Sequence, residues 1–384
     1  MSSLTAIEPG ATIGVLGGGQ LGAFFTQAAR RLGYRVAIWD PDVDAPALKL
    51  ADLPVNAPFA DAAALDRFAS SVRAVTYEWE NVPVALCEAL ERRLPVRPAG
   101  RILHILQHRL RQKQFLADRG IPVAPFRPVA TPADLSAAVE AVGFPCLCKT
   151  ATHGYDGKGQ WRLAGPHEVD AVQAALGVQA HSPWVLEQFL PFAKELSVLV
   201  VRAADGDKLI YPTVENVHEA GILRTTRVPA EVEPDAAQRA GDLAASVVEA
   251  LDGVGVFCVE LFLMSDGRLF VNEVAPRPHN SGHYTLDVCP VSQFEQQVRA
   301  VCGLPLGEVR LLSPAVMVNL IGDDFTKATI DSTIQKFLKD SRAKLHAYGK
   351  KAVRPGRKMG HVTFLAEKSE QAWESATLLR RLLG

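Results

Sequence analysis

The chain has no long apolar run among its 384 residues, so nothing in it reads as a membrane-spanning helix. Its 48% hydrophobic content points instead to a soluble protein with an ample core, divided into two or three domains. It has almost no net charge: 41 Lys and Arg against 42 Asp and Glu leave −1, which supplies no electrostatic reason to expect nucleic acid or a membrane surface as partner. Cysteine is sparse and scattered. No C-x-x-C pair occurs, and the closest two, Cys146 and Cys148, lie inside the strand-like stretch "FPCLCKT". The six thiols read as buried and reduced, as in a cytoplasmic protein. The opening "MSSLTAIEPG" has neither the basic start nor the apolar stretch of an export signal. There is no internal repeat, no low-complexity tract and no G-x-x-x-x-G-K-[ST], which sets aside a Walker phosphate loop.

What is present begins with "GVLGGGQLG", Gly14 to Gly22. Gly17, Gly19 and Gly22 satisfy G-x-G-x-x-G, between a buried strand "ATIGVL" and a helix "QLGAFFTQAARRLG". The next strand, "YRVAIWD", ends in Asp40, where a dinucleotide fold places its ribose-binding acid. By itself this is a dehydrogenase fingerprint. Residues 1 to about 100 alternate short apolar runs with helical segments, the rhythm of a parallel sheet with crossover helices. "LPVRPAG" closes that unit, and a helical stretch ends at Gly120 and Pro122. Strands and helices mix from about 121 to 300, and the last 80 residues hold the strand "AVMVNLIG" and the basic segment "HAYGKKAVRPGRKMGH".

In "FCVELFLMSDGRLFVNEV" the Asp266-Gly267 pair signals a two-residue hairpin turn. That turn sets Glu260 directly opposite Glu273, with β-carbons roughly 5 Å apart on one face. Like charges so placed repel unless a cation lies between them, and Mg²⁺ is commonly held by one or two carboxylates together with substrate phosphates. Asn272 points to the other face unless the strand bulges there. The ordinary alternative is two solvated glutamates.

"HGYDGKGQ", His153 to Gln160, carries glycines at 154, 157 and 159 between two strands, with Lys149 on the strand before it. Glycines let backbone N–H groups approach an anion closely, so the segment reads either as a phosphate flap or as a plain hairpin turn. In "WVLEQFLPFAKELSV", Glu187 and Glu195 flank a link suited to an adenine edge and ribose hydroxyls. "EVAPRPHNSGHYT" packs Arg277, His279, Asn280, Ser281 and His283 after the acidic hairpin. His279 and His283 have i,i+4 spacing, but the prolines and Gly282 argue for a loop that recognises substrate rather than a helical zinc site.

A glycine flap, an upstream lysine, an adenine-type link and a terminal acidic hairpin, in this order, resemble the ATP-grasp superfamily. The chain more specifically resembles the N5-carboxyaminoimidazole ribonucleotide synthetases, biotin-independent carboxylases of purine biosynthesis. The segments that carry this are "GGGQLG" (17–22), "TYEWENVP" (76–83), "HGYDGKGQ" (153–160), "NEVAPRPHNSGHYT" (272–285) and "RPGRKMGH" (354–361). "LGAFF" departs from the Arg-Met usual after the first loop.

The resemblance implies an α/β and α+β chain: a Rossmann-like N-terminal domain over 1–100, an ATP-grasp domain over 101–305 and a small β-rich C-terminal domain over 306–384. It implies that the first glycine loop receives the ribonucleotide, with Gln20 near its phosphate and Tyr77 and Glu78 as neighbours, and that neither NAD nor biotin is used. It assigns ATP to Arg109, Lys149, Gly154, Tyr155, Asp156, Gly157, Lys158, Gly159, Gln160, Glu187, Gln188, Phe189, Leu190, Glu195 and His218, with Asn272 and Glu273. Mg²⁺, or alternatively Mn²⁺, goes to Glu260 and Glu273. The aminoimidazole ribonucleotide goes to Gln20, Tyr155, Asp156, Arg277, His279, Asn280, Ser281, Lys350 and Arg357. Lys149, Tyr155, Asp156 and Arg277 are the catalytic candidates. The implied reaction couples ATP, bicarbonate and 5-aminoimidazole ribonucleotide through carboxyphosphate, in a cytoplasmic homodimer with only small-molecule substrates. Three other readings compete: an NAD-dependent dehydrogenase, a formate- or glycine-using ATP-grasp relative, and a non-catalytic nucleotide sensor.

Overall fold

In a computed structural model, the structure describes residues 6–152, 159–178, 183–330 and 333–383. The first sheet is fully parallel. β1 (Thr12–Leu16), β2 (Arg35–Trp39), β3 (Leu53–Val55) and β4 (Ala74–Tyr77) stand in the order β3-β2-β1-β4. Ile13, Val15, Val36 and Ile38 are fully buried, which is why these strands read as unbroken apolar runs. The helix Gln20–Arg31 follows β1 directly and lays Phe24, Phe25, Ala28 and Ala29 on the sheet.

A second sheet, order β5-β8-β6-β7, is built from β5 (Phe126–Val129), β6 (Cys146–Thr150), β7 (Gln160–Leu163) and β8 (Trp184–Gln188). The third holds nine strands among the described residues: β9 (Phe192–Arg202), β10 (Lys208–Ile210), β11 (Val214–Glu219), β12 (Ile222–Val228), β13 (Gly255–Met264), β14 (Leu269–Ala275), β15 (Ala315–Ile321), β16 (Ala343–Ala347) and β17 (Lys358–Leu365). The helix Pro234–Leu251 covers its β9–β13 face. Alanines at 236, 240 and 244 let the helix come close, and Val247, Val248 and Leu251 meet Val198, Val200, Phe257 and Val259.

The C-terminal segment has its own core, in which Val316, Val318, Leu320, Val362 and Phe364 pack against Ala372, Ala376 and Leu379. Its strands nevertheless continue the large sheet, because β15 pairs with β12 from Thr225↔Val318 to Val228↔Ala315. The helix Gln293–Cys302 ties the first sheet to the third: Phe294, Val298 and Val301 pack among Phe24, Ile13 and Val15. Gln297 donates to Thr76 Oγ1 at 2.8 Å and accepts from the Val256 N–H at 2.6 Å. No described helix is long and apolar enough to cross a membrane.

Candidate active site

The acidic hairpin pairs Glu260 with Glu273, as its sequence predicts, but by another route. The turn is one residue longer than a two-residue hairpin. Leu263 pairs with Leu269, the Met264 N–H donates to the Arg268 carbonyl at 2.9 Å, and Gly267 takes the left-handed φ of +84°. A bulge between Glu260 and Leu261 then restores the register, because Leu261 pairs with Val271 and Asn272 is the extra residue. That bulge is what brings Asn272 to the same cavity as Glu273. Burial first, then the charge of Glu273, push the Glu260 carboxyl up to about 7, while His218 and Lys358 oppose. A buried acid raised by a facing carboxylate fits a divalent cation between the two.

Next to the hairpin, Arg109, Gln112, Lys113, Lys149, Glu187, Asn272 and Glu273 line one cavity. The helix Arg109–Ala117 offers Arg109 and Lys113 one turn apart on one face. Arg109 is anchored on the end of β6, its backbone N–H on the Ala151 carbonyl at 2.8 Å and Nη1 on the Thr150 carbonyl at 3.0 Å. Lys113 Nζ and Lys149 Nζ lie 3.2 and 3.0 Å from the same oxygen of Glu187, all three side chains buried. Burial acts to raise Glu187, but the two ammonium groups outweigh it and hold the carboxyl below its ordinary range. Burial lowers the Lys113 ammonium, with Glu187 opposing. Three cationic heads face two carboxylates here, and an anionic polyphosphate balances that excess.

Lys113 escaped the sequence reading. "HRLRQKQF" looks like an exposed basic helix, and only the i,i+4 spacing of Arg109 and Lys113 marks them as a pair. Glu187 was read as facing solvent or ribose. It instead lies beneath two lysines, and its Oε1 has no hydrogen-bond partner among the described residues. Gln188 and Phe189 donate their N–H groups to the carbonyls of Pro125 and Pro145 at 2.8 and 2.9 Å, so those two donors are not open to a base edge. Leu190 is buried beside Ala124 and Met264. Glu195 is ion-paired with His218 Nδ1, and that bond, with the Glu195 charge, raises the His218 pKa against the opposing effect of burial. Gly159 sits at φ +69°, where a Cβ would stand 2.7 Å from Thr150 Oγ1, and Gln160 pairs with Lys149. Gly154, Tyr155, Asp156, Gly157 and Lys158 lie outside the described residues.

In the first domain the glycine loop already holds anions of its own. Glu78 accepts from the Gly19 N–H at 2.7 Å and the Gly22 N–H at 3.1 Å, and Asp40 accepts from Gly18 at 2.6 Å. These donors are the ones a dinucleotide pyrophosphate would take. Glu78 therefore sits in the loop expected to receive the ribonucleotide, and Gln20 starts the helix beside it. Burial raises the Glu78 carboxyl, opposed by its two backbone donors. Tyr77, expected beside the substrate, lies inside the domain core. It is 1% exposed, packed in the core with Cys87 and Leu90, and its hydroxyl has no partner among the described residues. The reason is alternation along β4, which sends Tyr77 into the core on the opposite face from its neighbour.

Arg277 is bound to Glu80, a residue the sequence reading passed over inside "TYEWENVP". Nη2 lies 2.7 Å from Oε1, Nε meets Oε2, and Nη1 donates to the Pro278 carbonyl at 3.0 Å. Burial acts to raise the Glu80 carboxyl, but Arg277 more than offsets it and holds it low. Asn280 and Ser281 were expected to touch substrate and are instead buried and spent within the protein. Asn280 exchanges amide hydrogen bonds with Asn319 at 3.0 and 2.6 Å.

Ser281 belongs to a directed chain of hydrogen bonds. Thr226 Oγ1 donates to Asn216 Oδ1 (2.9 Å), Asn216 Nδ2 donates to Ser197 Oγ (2.9 Å), and Ser197 donates to Ser281 Oγ (2.8 Å). Ser281 Oγ stands 2.9 Å from His279 Nδ1. With its other contacts accepting, Ser281 gives its proton to Nδ1, which leaves the His279 proton on Nε2, 3.4 Å from Glu260. Burial, with Arg277 and Lys358, keeps His279 neutral. Lys350 donates to the Lys358 carbonyl at 2.8 Å and Arg357 to the Ala352 carbonyl at 2.9 Å, so both cations cap the loop between β16 and β17. Lys358, also missed, is the charge that Glu260, His218 and His279 all feel.

Comparison with known proteins gives three successive domain matches: a ribonucleotide synthetase preATP-grasp domain over residues 10–107, an ATP-grasp domain over 114–294 and a phosphoribosylaminoimidazole carboxylase C-terminal domain over 315–375. The chain is 42% identical over 365 residues to the N5-carboxyaminoimidazole ribonucleotide synthase of Bacillus subtilis strain 168, covering 95% of this chain and 94% of that one. The ADP complex of an N5-carboxyaminoimidazole ribonucleotide synthetase superposes with TM-score 0.93 at 38% identity, over 98% of both chains. The Aspergillus clavatus synthase in complex with ADP and 5-aminoimidazole ribonucleotide superposes with TM-score 0.89 at 34% identity, over 97% of this chain and 98% of that one. The chain therefore belongs to the N5-carboxyaminoimidazole ribonucleotide synthase family of ATP-grasp ligases.

Proposed function

We propose that this protein carboxylates the exocyclic amine of 5-aminoimidazole ribonucleotide, using ATP and bicarbonate and releasing ADP and phosphate. The observation that carries the reading is the buried pocket in which Arg109, Lys113 and Lys149 share Glu273 and Asn272 with the acidic hairpin. In this pocket the cations hold the polyphosphate of ATP. Glu260 and Glu273, with the Asn272 oxygen, would hold Mg²⁺, which when bound supplies charge neutralisation at the phosphates.

A bicarbonate oxygen attacks the γ-phosphoryl group, the bond to ADP breaks, and carboxyphosphate forms. The substrate amine then attacks the carboxyl carbon directly, or CO₂ released from it, and phosphate leaves. Arg277, held rigid by Glu80, is suited to grip bicarbonate and then the carboxyl end of carboxyphosphate. His279 adds an Nε2–H donor beside Glu260. Lys350 and Arg357 serve the nucleotide 5′-phosphate, Asp156 orients or deprotonates the amine, and Tyr155 is a further substrate contact implied by the family. The domain division near residues 100 and 305, a homodimer and a cytoplasmic location complete the reading and rest on the family resemblance.

ADP release by purified protein tests the whole scheme. Turnover is expected only with aminoimidazole ribonucleotide and bicarbonate together, above the slow background that bicarbonate gives alone. Equal rates with formate or glycine in place of bicarbonate would assign the chemistry to a different ATP-grasp ligase.

A further inference from the structure

We propose that Asp287, His346 and His361 form a binding site for a first-row divalent transition ion, Zn²⁺ by its ligand set, that clamps the C-terminal strands to the segment following Arg277–Ser281. One potential ligand atom from each of the three lies within 4.8 Å of the others. His346 and His361 are cross-strand partners on β16 and β17, their rings stacked at 4.6 Å and 16°. His346 Nε2 stands 3.0 Å from both oxygens of Asp287. Two ligands on a tetrahedral ion at the usual Zn–N and Zn–O lengths sit roughly 3.3–3.6 Å apart, so the pair needs little adjustment to admit one.

The second observation is an unsatisfied buried atom. His361 is fully buried, its Nδ1 is held by the Tyr348 hydroxyl at 2.9 Å, and its Nε2 has no partner among the described residues. An orphaned buried nitrogen destabilises the fold, and a coordinated ion removes that cost. A hydrogen bond on the opposite ring nitrogen is also the usual support of a ligating histidine. Burial holds His361 neutral, the form that coordinates. The His283 ring lies tilted at 34° against His361, centroids 4.9 Å apart, but Gln293 Nε2 donates to its Nδ1, so its proton sits on Nε2. His283 Nε2 also has no hydrogen-bond partner among the described residues, and because it carries the proton His283 is a neighbour of the site and not a fourth ligand. The rings of Phe24 and Tyr348 wall the cluster. Two imidazoles and one carboxylate match zinc better than the all-oxygen preference of Mg²⁺.

The test is calorimetric titration of EDTA-stripped protein with ZnCl₂ in excess Mg²⁺, which occupies the Glu260–Glu273 hairpin in competition. One Zn²⁺ per chain with micromolar or tighter affinity is expected, together with a rise of a few degrees in the thermal midpoint. Asp287→Asn and His346→Ala should each weaken binding at least tenfold and abolish the thermal shift, while Glu273→Gln leaves both unchanged. If His346→Ala fails to fold, Asp287→Asn carries the same comparison. No saturable binding, or binding lost in Glu273→Gln but kept in the other two variants, overturns the proposal.

Discussion

Glu273 is the residue on which the proposed chemistry leans hardest, because it lines the cation pocket and faces Glu260 at once. Replacing it with Gln keeps the shape and removes one charge. Turnover should drop about 10²-fold or more with the circular dichroism spectrum unchanged; near-normal rates across a Mg²⁺ titration would make the hairpin purely structural. Glu260 supplies a prediction in pH. Its carboxyl titrates at about 7 in the fold against 4.5 as a free side chain. Between those values the folded chain keeps a proton that the unfolded chain has lost, so Glu260 takes stability away as pH rises from about 4.5 to 7 and adds no further change above. Without divalent metal, the thermal midpoint of wild type should fall relative to Glu260→Gln across that window. Adding Mg²⁺ should close the gap, and parallel midpoint curves without metal would refute the coupling. Although the turn is one residue longer than its signal predicts and the Asn272 bulge restores the register, the facing of these two acids was legible from that signal. Lys113 and Glu80 were not, because what makes them functional is burial against partners 74 and 197 positions away, Glu187 and Arg277, and local pattern does not reach that far.

Among the elements, the acidic hairpin shows how a correct pairing can come from an incorrect turn. The extra turn residue and the Asn272 bulge each move the register by one, in opposite senses, so Glu260 still meets Glu273. Strand pattern reveals neither, since both are backbone conformations set by a left-handed Gly267 and by strand twist. The first glycine loop shows the opposite outcome. Its strand, turn and helix were all legible, yet its occupant was not, because Glu78 enters from β4, 59 residues beyond Gly19. A Cβ on Gly19 would stand 2.7 and 2.9 Å from the two Glu78 oxygens. Gly19→Val should therefore eject that carboxylate from the loop and raise the KM for aminoimidazole ribonucleotide at least tenfold. The ATP dissociation constant, measured by calorimetry, should stay nearly constant, because the cation pocket is built from other elements. Loss of ATP binding in a folded Gly19→Val protein would place the nucleotide in the first domain.

Across the whole molecule, length suggested two or three domains and the three-part division came from the family resemblance, while the seams were not legible. The C-terminal strands extend the large sheet through β12 and β15, and the helix Gln293–Cys302 lies in the core of the first sheet. A chain cut after residue 305 would leave the β12 edge unpaired along four residues and remove the apolar partners of the C-terminal core. It should run as aggregate on size exclusion; a monodisperse, native-like 1–305 fragment would show that the seam is dispensable. The same seam sets a timetable for synthesis. Val228 must wait for Ala315 before its edge is closed, a gap of 87 residues. At roughly 5–20 residues per second, a ribosome takes on the order of ten seconds to make that stretch, and β17 emerges later still. Throughout that interval the nascent chain displays an apolar, hydrogen-bonding strand to solvent, so a holdase that shields extended segments should decide the yield of folded enzyme more than any single contact in the finished fold.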